Sequence, residues 1–360
     1  MNIPTAPYIK ISLLFISVAL LLSSCNQFSL RTPSPTTGEL TSQNDSDWLQ
    51  IYFTDPTAAS ASSYEGGPDQ ALTKAIETAR LSVDVAAYSL NLWSIRDALI
   101  HAHKRGVIVR IVMESDNMDV SEVQDLKDAG IQIVGDQHEG LMHDKFVVID
   151  QNEVWTGSMN FTAGGTYWDN NNLICIHSAQ AAKDYATEFE EMFAKKRFGP
   201  EGKADTPYPD LTINGTQVEI YFSPDDGVAK RILELINNAQ DSIDFLAYTM
   251  TSDEIGQALR DKAQAGITVK GVMDDGQVKS DGTEYNNFVD AGMDVRLDGN
   301  EKGLMHHKVI IIDQEIVITG SYNFTASAEE NNDENVVILQ DRNAAQRYLE
   351  EFQRMVDQAG

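Results

Sequence analysis

Apolar residues along this chain change period repeatedly, and the changes mark alternating strands and helices. Val83 to Tyr88 and Val107 to Met113 are runs rich in β-branched residues, the signature of strands. Between them, Asp69 to Arg80 sets Leu72, Ile76 and Ala79 at helical spacing, and Ser94 to Arg105 does the same with Ile95, Ala98, Leu99 and Ala102. Ser94 and Ser252 read as helix N-caps, and Gly106 and Gly266 as the stops that follow those helices. Phe146 to Asp150 and Val309 to Asp313 are nearly unbroken apolar runs, as expected of strands covered on both faces. The order strand, helix, strand, helix, strand, strand predicts an α/β fold with helices flanking a sheet.

The pattern occurs twice. Ile51-Tyr52-Phe53-Thr54 answers Ile220-Tyr221-Phe222-Ser223, and the run Ser82 to Tyr88 answers Ser242 to Tyr248. Asp128-Ala129-Gly130 answers Asp290-Ala291-Gly292. The duplication predicts one half over residues 48–200, a linker over 201–217 and a second half over 218–360. Two such halves are expected to meet about a pseudo-twofold axis, as in an isologous interface.

The halves also share a chemical signature. His143-x-Lys145, Asp150 and Gly157-Ser158-x-Asn160 recur at the same spacing as His306-x-Lys308, Asp313 and Gly320-Ser321-x-Asn323. Residues two apart on a strand face the same way, so each copy offers an imidazole beside an ammonium. A single H-x-K in an apolar run is commonplace, but two copies agreeing at six positions are not. Brought together, they suit a phosphate diester: one histidine attacks phosphorus and the other protonates the leaving oxygen. Lys145, Lys308, Asn160 and Asn323 would hold the charge on the equatorial oxygens. Asp150 and Asp313 complete the signature on the other strand parity and read as structural ties at a strand end. Ser158 and Ser321 could donate hydrogen bonds or simply serve the turn, and Gly140 and Gly303 could admit substrate closely.

The doubled H-x-K-x4-D-x6-G-S-x-N resembles the HKD signature of the phospholipase D superfamily. The resemblance covers nearly all of the chain after Trp48. It implies a duplicated phospholipase D-like fold with one active site at the seam, and metal-independent chemistry through a phosphohistidine, with water or an alcohol as acceptor. No cofactor and no metal are expected, since no His, Cys and carboxylate cluster has metal-ligand spacing. His101 and His103, two apart on a predicted helix, would not share a face. In relatives an acceptor downstream of each motif orients the histidine. Counting from His306 reaches Glu334, and the same offset from His143 reaches Asn171. On that count His306 should be the more readily protonated general acid, and His143 the nucleophile. A carboxylate can equally stabilise the imidazolium formed during attack, which argues the other way.

Composition narrows the substrate. The 360 residues are 42% apolar, ordinary for a globular protein, but 27 basic residues face 55 acidic ones, for a net charge of −28. Such a surface counts against a nonspecific nucleic-acid binder. At the N-terminus Lys10 precedes the apolar run Ile11 to Leu22, which ends in Leu22-Ser23-Ser24-Cys25. The run is short for a membrane span and reads as a secretory leader over residues 1–24. Small residues before Cys25 resemble a bacterial lipobox, implying lipidation of Cys25 and an extracytoplasmic, lipid-anchored protein of the cell envelope. Residues 25–47, rich in Ser, Thr, Pro, Gln and Asn, are expected to be a disordered tether with a reach of roughly 25 Å. Cys175, in an apolar stretch, reads as a buried small hydrophobe.

The expected activity is a phospholipase D that hydrolyses phosphatidylcholine-type lipids to phosphatidic acid and the headgroup alcohol, acting as a monomer. Trp93 and Tyr167-Trp168 lie in loops of the first half, where aromatic rings can meet a lipid interface. The alternative is an extracytoplasmic endonuclease of the same superfamily, with DNA or RNA as substrate.

Overall fold

A computed structural model describes residues 47–360. The leader and the tether from Cys25 to Ser46 lie outside them.

In the first half the elements are β1 (Leu49–Phe53), α1 (Asp69–Thr78), β2 (Ser82–Ala87), α2 (Trp93–Lys104), β3 (Ile108–Met113), α3 (Ser121–Asp128), β4 (Gln132–Gly135), β5 (Lys145–Ile149), β6 (Glu153–Gly157), α4 (Ala163–Tyr167), β7 (Asn172–His177) and α5 (Ala179–Lys195). The second half begins with β8 (Asp210–Ile213), β9 (Thr216–Ser223), α6 (Val228–Asn238), β10 (Ser242–Ala247), α7 (Asp253–Gln264) and β11 (Thr268–Met273). It continues with α8 (Tyr285–Asp290), β12 (Asp294–Leu297), β13 (Lys308–Ile312), β14 (Ile316–Gly320), α9 (Ala326–Glu330), β15 (Glu334–Gln340) and α10 (Arg342–Ala359).

The sheets run β1-β7-β6-β5-β2-β3-β4 and β12-β11-β10-β13-β14-β15-β9-β8. Read from β4 and from β12, the two orders are the same until β8 adds a further edge strand. That strand falls in the expected linker, which is therefore partly built into the second sheet. Within each sheet three strands are parallel and the rest antiparallel, so the α/β expectation resolves into two mixed sheets.

The motif strands are central, and their apolar runs serve two cores. Phe146 and Val148 of β5 point into a shared core that also takes Val309 and Ile311 of β13, with Tyr185 and Phe189 of α5 and Tyr348 and Phe352 of α10. Val147 and Ile149 face a separate core under α1, α2 and α3, where Leu72, Ile76, Ile95, Leu99 and Leu126 are buried. Ile310 and Ile312 do the same under α6 and α7. Alternating residues of one strand thus enter different cores, which removes the polar alternation of a half-exposed strand.

Two local expectations need adjusting. Ser252 caps α7 by accepting from the Ile255 N–H, but α2 starts one residue earlier than its serine, after Leu92. The Ser94 hydroxyl instead donates to Asp69, at 2.7 Å. Asp150 and Asp313 stand at the far ends of β5 and β13, about 16 Å along an extended strand from Lys145 and Lys308. Asp150 accepts the N–H groups of Arg80, Leu81 and Ser82, and Asp313 those of Gln240, Asp241 and Ser242. Each carboxylate holds the turn entering β2 or β10 and touches no reacting group, so these two members of the repeated signature are the structural ties that strand parity predicts and not catalytic residues. Burial alone would raise the Asp313 carboxyl, but the three N–H donors outweigh it and its pKa is lowered.

Replacing Asp313 by Ala should cost about 1–3 kcal/mol of stability in denaturant unfolding, with activity per folded molecule retained. Because the folded pKa is depressed, this contribution should be present above the carboxyl's unfolded pKa and fade as pH falls through the folded one. A fall in turnover without a fall in stability would contradict the structural role.

Candidate active site at the seam

The two halves are joined by backbone pairing beside each motif. Met142 bridges Asp333 and Met305 bridges Asn170, both parallel. The His143 N–H donates to the Asp333 carbonyl at 3.0 Å, and the His306 N–H to the Asn170 carbonyl at 2.9 Å. Gly140 and Gly303 allow this approach. A Cβ at Gly140 would strike the Asn331 carbonyl, and one at Gly303 that of Trp168. The close neighbour these glycines admit is the other half of the chain. Behind the bridges, Asn335 accepts from Thr156 (2.7 Å) and Tyr185 (3.0 Å), while Asn172 accepts from Thr319 (3.0 Å) and Tyr348 (3.2 Å).

This pairing crosses the acceptors over. Glu334 lies next to Asp333 and so reaches His143, its Oε2 standing 2.7 Å from Nδ1. Asn171 lies next to Asn170 and reaches His306, its Oδ1 at 2.9 Å from Nδ1, with the Ser158 carbonyl at 3.1 Å. Counting along the chain assigned Glu334 to His306 and Asn171 to His143; the structure reverses both. The offset was read within a half, whereas the segment it reaches is bonded to the opposite half.

The acceptors fix the tautomers. The Asn171 amide donates to the Gly165 carbonyl, which turns its oxygen toward His306 and the Ser158 hydroxyl. Glu334 receives hydrogen bonds from Ser321 and Asn332. Each histidine therefore carries its hydrogen on Nδ1 and leaves Nε2 free. The serines of the repeated signature hold the acceptors in place.

His143 and His306 are 6% and 5% exposed, and Lys145 and Lys308 1% and 2%. Lys308 Nζ donates to the His306 carbonyl at 2.8 Å, and Lys145 Nζ to that of His143. Tyr88 and Tyr248, at the ends of β2 and β10, line the same space. Their rings lie 4.8 and 4.6 Å from the imidazoles of His143 and His306, and 5.0 and 4.7 Å from Nζ of Lys145 and Lys308. Both tyrosines recur in the repeat, yet nothing in their local pattern distinguishes them from strand residues. Asn160 and Asn323 each keep a buried side-chain oxygen without a protein partner.

Electrostatics couple the two histidines and two lysines into one centre. Burial lowers His143 well below the ordinary range, and Lys145 and Lys308 lower it further. Burial, then Lys308, Lys145 and His143, do the same to His306. Lys145 is pushed down to about 7 by burial, against the pull of Glu334 and Asp144. Glu334 is lifted to about 7 by burial, against the pull of the lysines. A dianionic or monoanionic phosphate entering this space would reverse the balance, favouring protonated histidine and lysine.

The middle residue of each motif differs. Asp144 accepts from the Asn335 amide at 2.6 Å, whereas His307 faces Glu351 at 2.9 Å. Each middle residue still meets the amide of the matching asparagine of the other half, since Asn172 Nδ2 stands 3.2 Å from His307 Nδ1. Away from the seam, Glu153 and His177 pair across β6 and β7, with Cys175 two residues before His177. His177 Nδ1 is 3.4 Å from Glu153, and Nε2 is 3.6 Å from the buried Cys175 sulfur. These groups are close enough together to hold a metal ion. Strand pairing creates the cluster, so sequence spacing does not reveal it. His101 lies on the surface against Glu77.

The chain matches the family described as "Cardiolipin synthase, PLD-like domain" over residues 72–193 and again over 232–356. It belongs to the phospholipase D superfamily and is a phosphodiesterase of that class. A phospholipase D of Rickettsia prowazekii is 34% identical over 164 residues, 46% of this chain and 80% of the relative. The human mitochondrial cardiolipin hydrolase is 35% identical over 133 residues, 37% of this chain and 52% of the relative. The crystal structure of phosphatidylserine synthase from Haemophilus influenzae has the same fold, with a TM-score of 0.64 at 14% identity over 86% of each chain.

Asn171→Asp should raise the pKa of His306 by giving it a carboxylate. The alkaline limb of the rate profile should then move to higher pH, because a raised pKa retains the proton longer. Glu334→Gln should lower turnover by about 10²–10⁴-fold while leaving the melting temperature nearly unchanged. An unmoved limb in the first variant, or full activity in the second, would contradict the crossed pairing.

Proposed function

We propose that the protein is a phospholipase D acting on phosphatidylcholine-type lipids, and that it releases phosphatidic acid and the headgroup alcohol through a phosphohistidine. The observation behind this reading is the crossed pair, a carboxylate on His143 and a neutral amide on His306. It overturns the proton-affinity argument made from the sequence, so the nucleophile is assigned to His143 on the other ground, that a carboxylate stabilises the imidazolium formed in attack. His143 Nε2 attacks phosphorus, and Glu334 stabilises the imidazolium that forms. His306, protonated once the anionic diester is bound, gives its Nε2 proton to the departing alcohol oxygen. The same nitrogen then takes a proton from water, which attacks the phosphohistidine and frees His143. Lys145 and Lys308, with Asn160 and Asn323, hold the non-bridging oxygens.

The preference for phospholipid over nucleic acid rests on the charge of −28 and on exposed aromatic rings in the first half. Lipidation at Cys25 would keep the enzyme on the extracytoplasmic face of a cell-envelope membrane, acting as a monomer because one chain holds both half-sites.

Two assays in EDTA test the reading: choline release from phosphatidylcholine vesicles and nicking of plasmid DNA. Choline release that disappears in His143→Asn is the expected result. Plasmid nicking without choline release would favour the endonuclease, and activity surviving in His143→Asn would remove the nucleophile.

A further inference from the structure

The duplication supplies an internal control for every surface feature near the seam, and one feature fails to repeat. Residues 57–67 have no counterpart in the second half, where Pro224 to Val228 leads directly from β9 to α6. This extra segment sets Tyr64 among Trp93, Tyr167 and Trp168, with ring centres 5.1, 5.5 and 6.2 Å away. Asp69 fixes the group from below, accepting from the Tyr167 hydroxyl at 2.8 Å and from Ser94. Tyr64, Trp93 and Trp168 nevertheless remain 38%, 40% and 43% exposed. At the positions matching Trp93, Tyr167 and Trp168, the second half has Asp253, Glu330 and Asn331.

The cluster adjoins the seam segments that carry the catalytic groups. Trp168 is three residues before Asn171, the acceptor for His306. Its carbonyl takes a hydrogen bond from Asn300, and Leu304, 37% exposed, donates its N–H to the adjacent Asp169. Trp93 follows the strand end that carries Tyr88. Among the described residues nine large apolar side chains are exposed, and Leu141 and Leu304, two of them, each lie two residues before a catalytic histidine.

We infer that Tyr64, Trp93 and Trp168, with Leu304, form an interfacial anchor that seats the mouth of the active site on a zwitterionic phospholipid surface. Aromatic rings with one wet edge partition to the headgroup region, and an ordered cluster does so with little loss of side-chain entropy. The exposed Asp253 and Glu330 at the matching positions of the second half, with the net charge of −28, disfavour an anionic bilayer as the preferred surface. The inference rests on the phospholipid reading and specifies how a bilayer substrate is presented.

The test uses the full chain carrying Cys25→Ser, so that no lipid modification contributes. A variant takes the second half's residues, Trp93→Asp and Trp168→Asn, together with Tyr64→Ser. Phosphatidylcholine vesicle flotation is measured in the His143→Asn background. Hydrolysis is measured on both vesicles and a short-chain phosphatidylcholine below its micelle concentration. The variant should lose vesicle binding and vesicle hydrolysis by about tenfold or more, while monomer hydrolysis is unchanged. Equal vesicle binding by parent and variant overturns the anchor and leaves the phospholipid reading in place. Equal loss on monomer and vesicle also overturns it, since the rings would then support the site itself. Failure of the parent to hydrolyse either form overturns the phospholipid reading and the anchor with it.

Discussion

The short backbone bridges at the seam, Met142 to Asp333 and Met305 to Asn170, are the constraint on which the active site depends. Each bridge presses the start of one motif strand against the acceptor segment of the other half. Neither half can complete its own histidine: the ring comes from one copy and the group that orients it from the other. This exchange makes a duplicated chain function as one site, and it makes any divergence between copies act across the axis.

The same constraint explains how two lysines can be buried. Taking an ammonium out of water costs several kcal/mol even after relaxation, and repulsion between the two adds to that. The tyrosine rings, the histidine carbonyls and Glu334 offset part of the cost. The remainder leaves an electropositive, water-poor space best satisfied by an anion. Low dielectric then strengthens every contact to the charge that develops in the transition state. The shared core built by α5 and α10 supplies the rigidity that keeps these groups from relaxing toward solvent.

Much of this was legible in the sequence because duplication repeats its own evidence. The motif strands, the first two helices of each half and the catalytic pairs all appear twice, in the same order. What escaped was tertiary. The strand β8 hides in a polar linker, and Tyr88 and Tyr248 look like ordinary strand residues until the fold turns their rings onto the lysines. The acceptors were found at the correct positions but given to the wrong histidines, since an offset along the chain carries no information about which half a segment packs against. Asp150 and Asp313 show the converse. Their place in a shared signature suggested the site, yet strand parity alone separated them from it, and their role is to hold a turn some distance away.

The proposed roles of the two histidines rest on the asymmetry of Glu334 and Asn171, so the most direct test is to find the phosphorylated histidine. The enzyme would be quenched during turnover of a diester labelled at phosphorus, digested under alkaline conditions, and its labelled peptide sequenced. Label on the peptide containing His143 is the predicted result. Label on the peptide containing His306 would contradict the account, because the carboxylate would then serve the general acid and the amide the nucleophile.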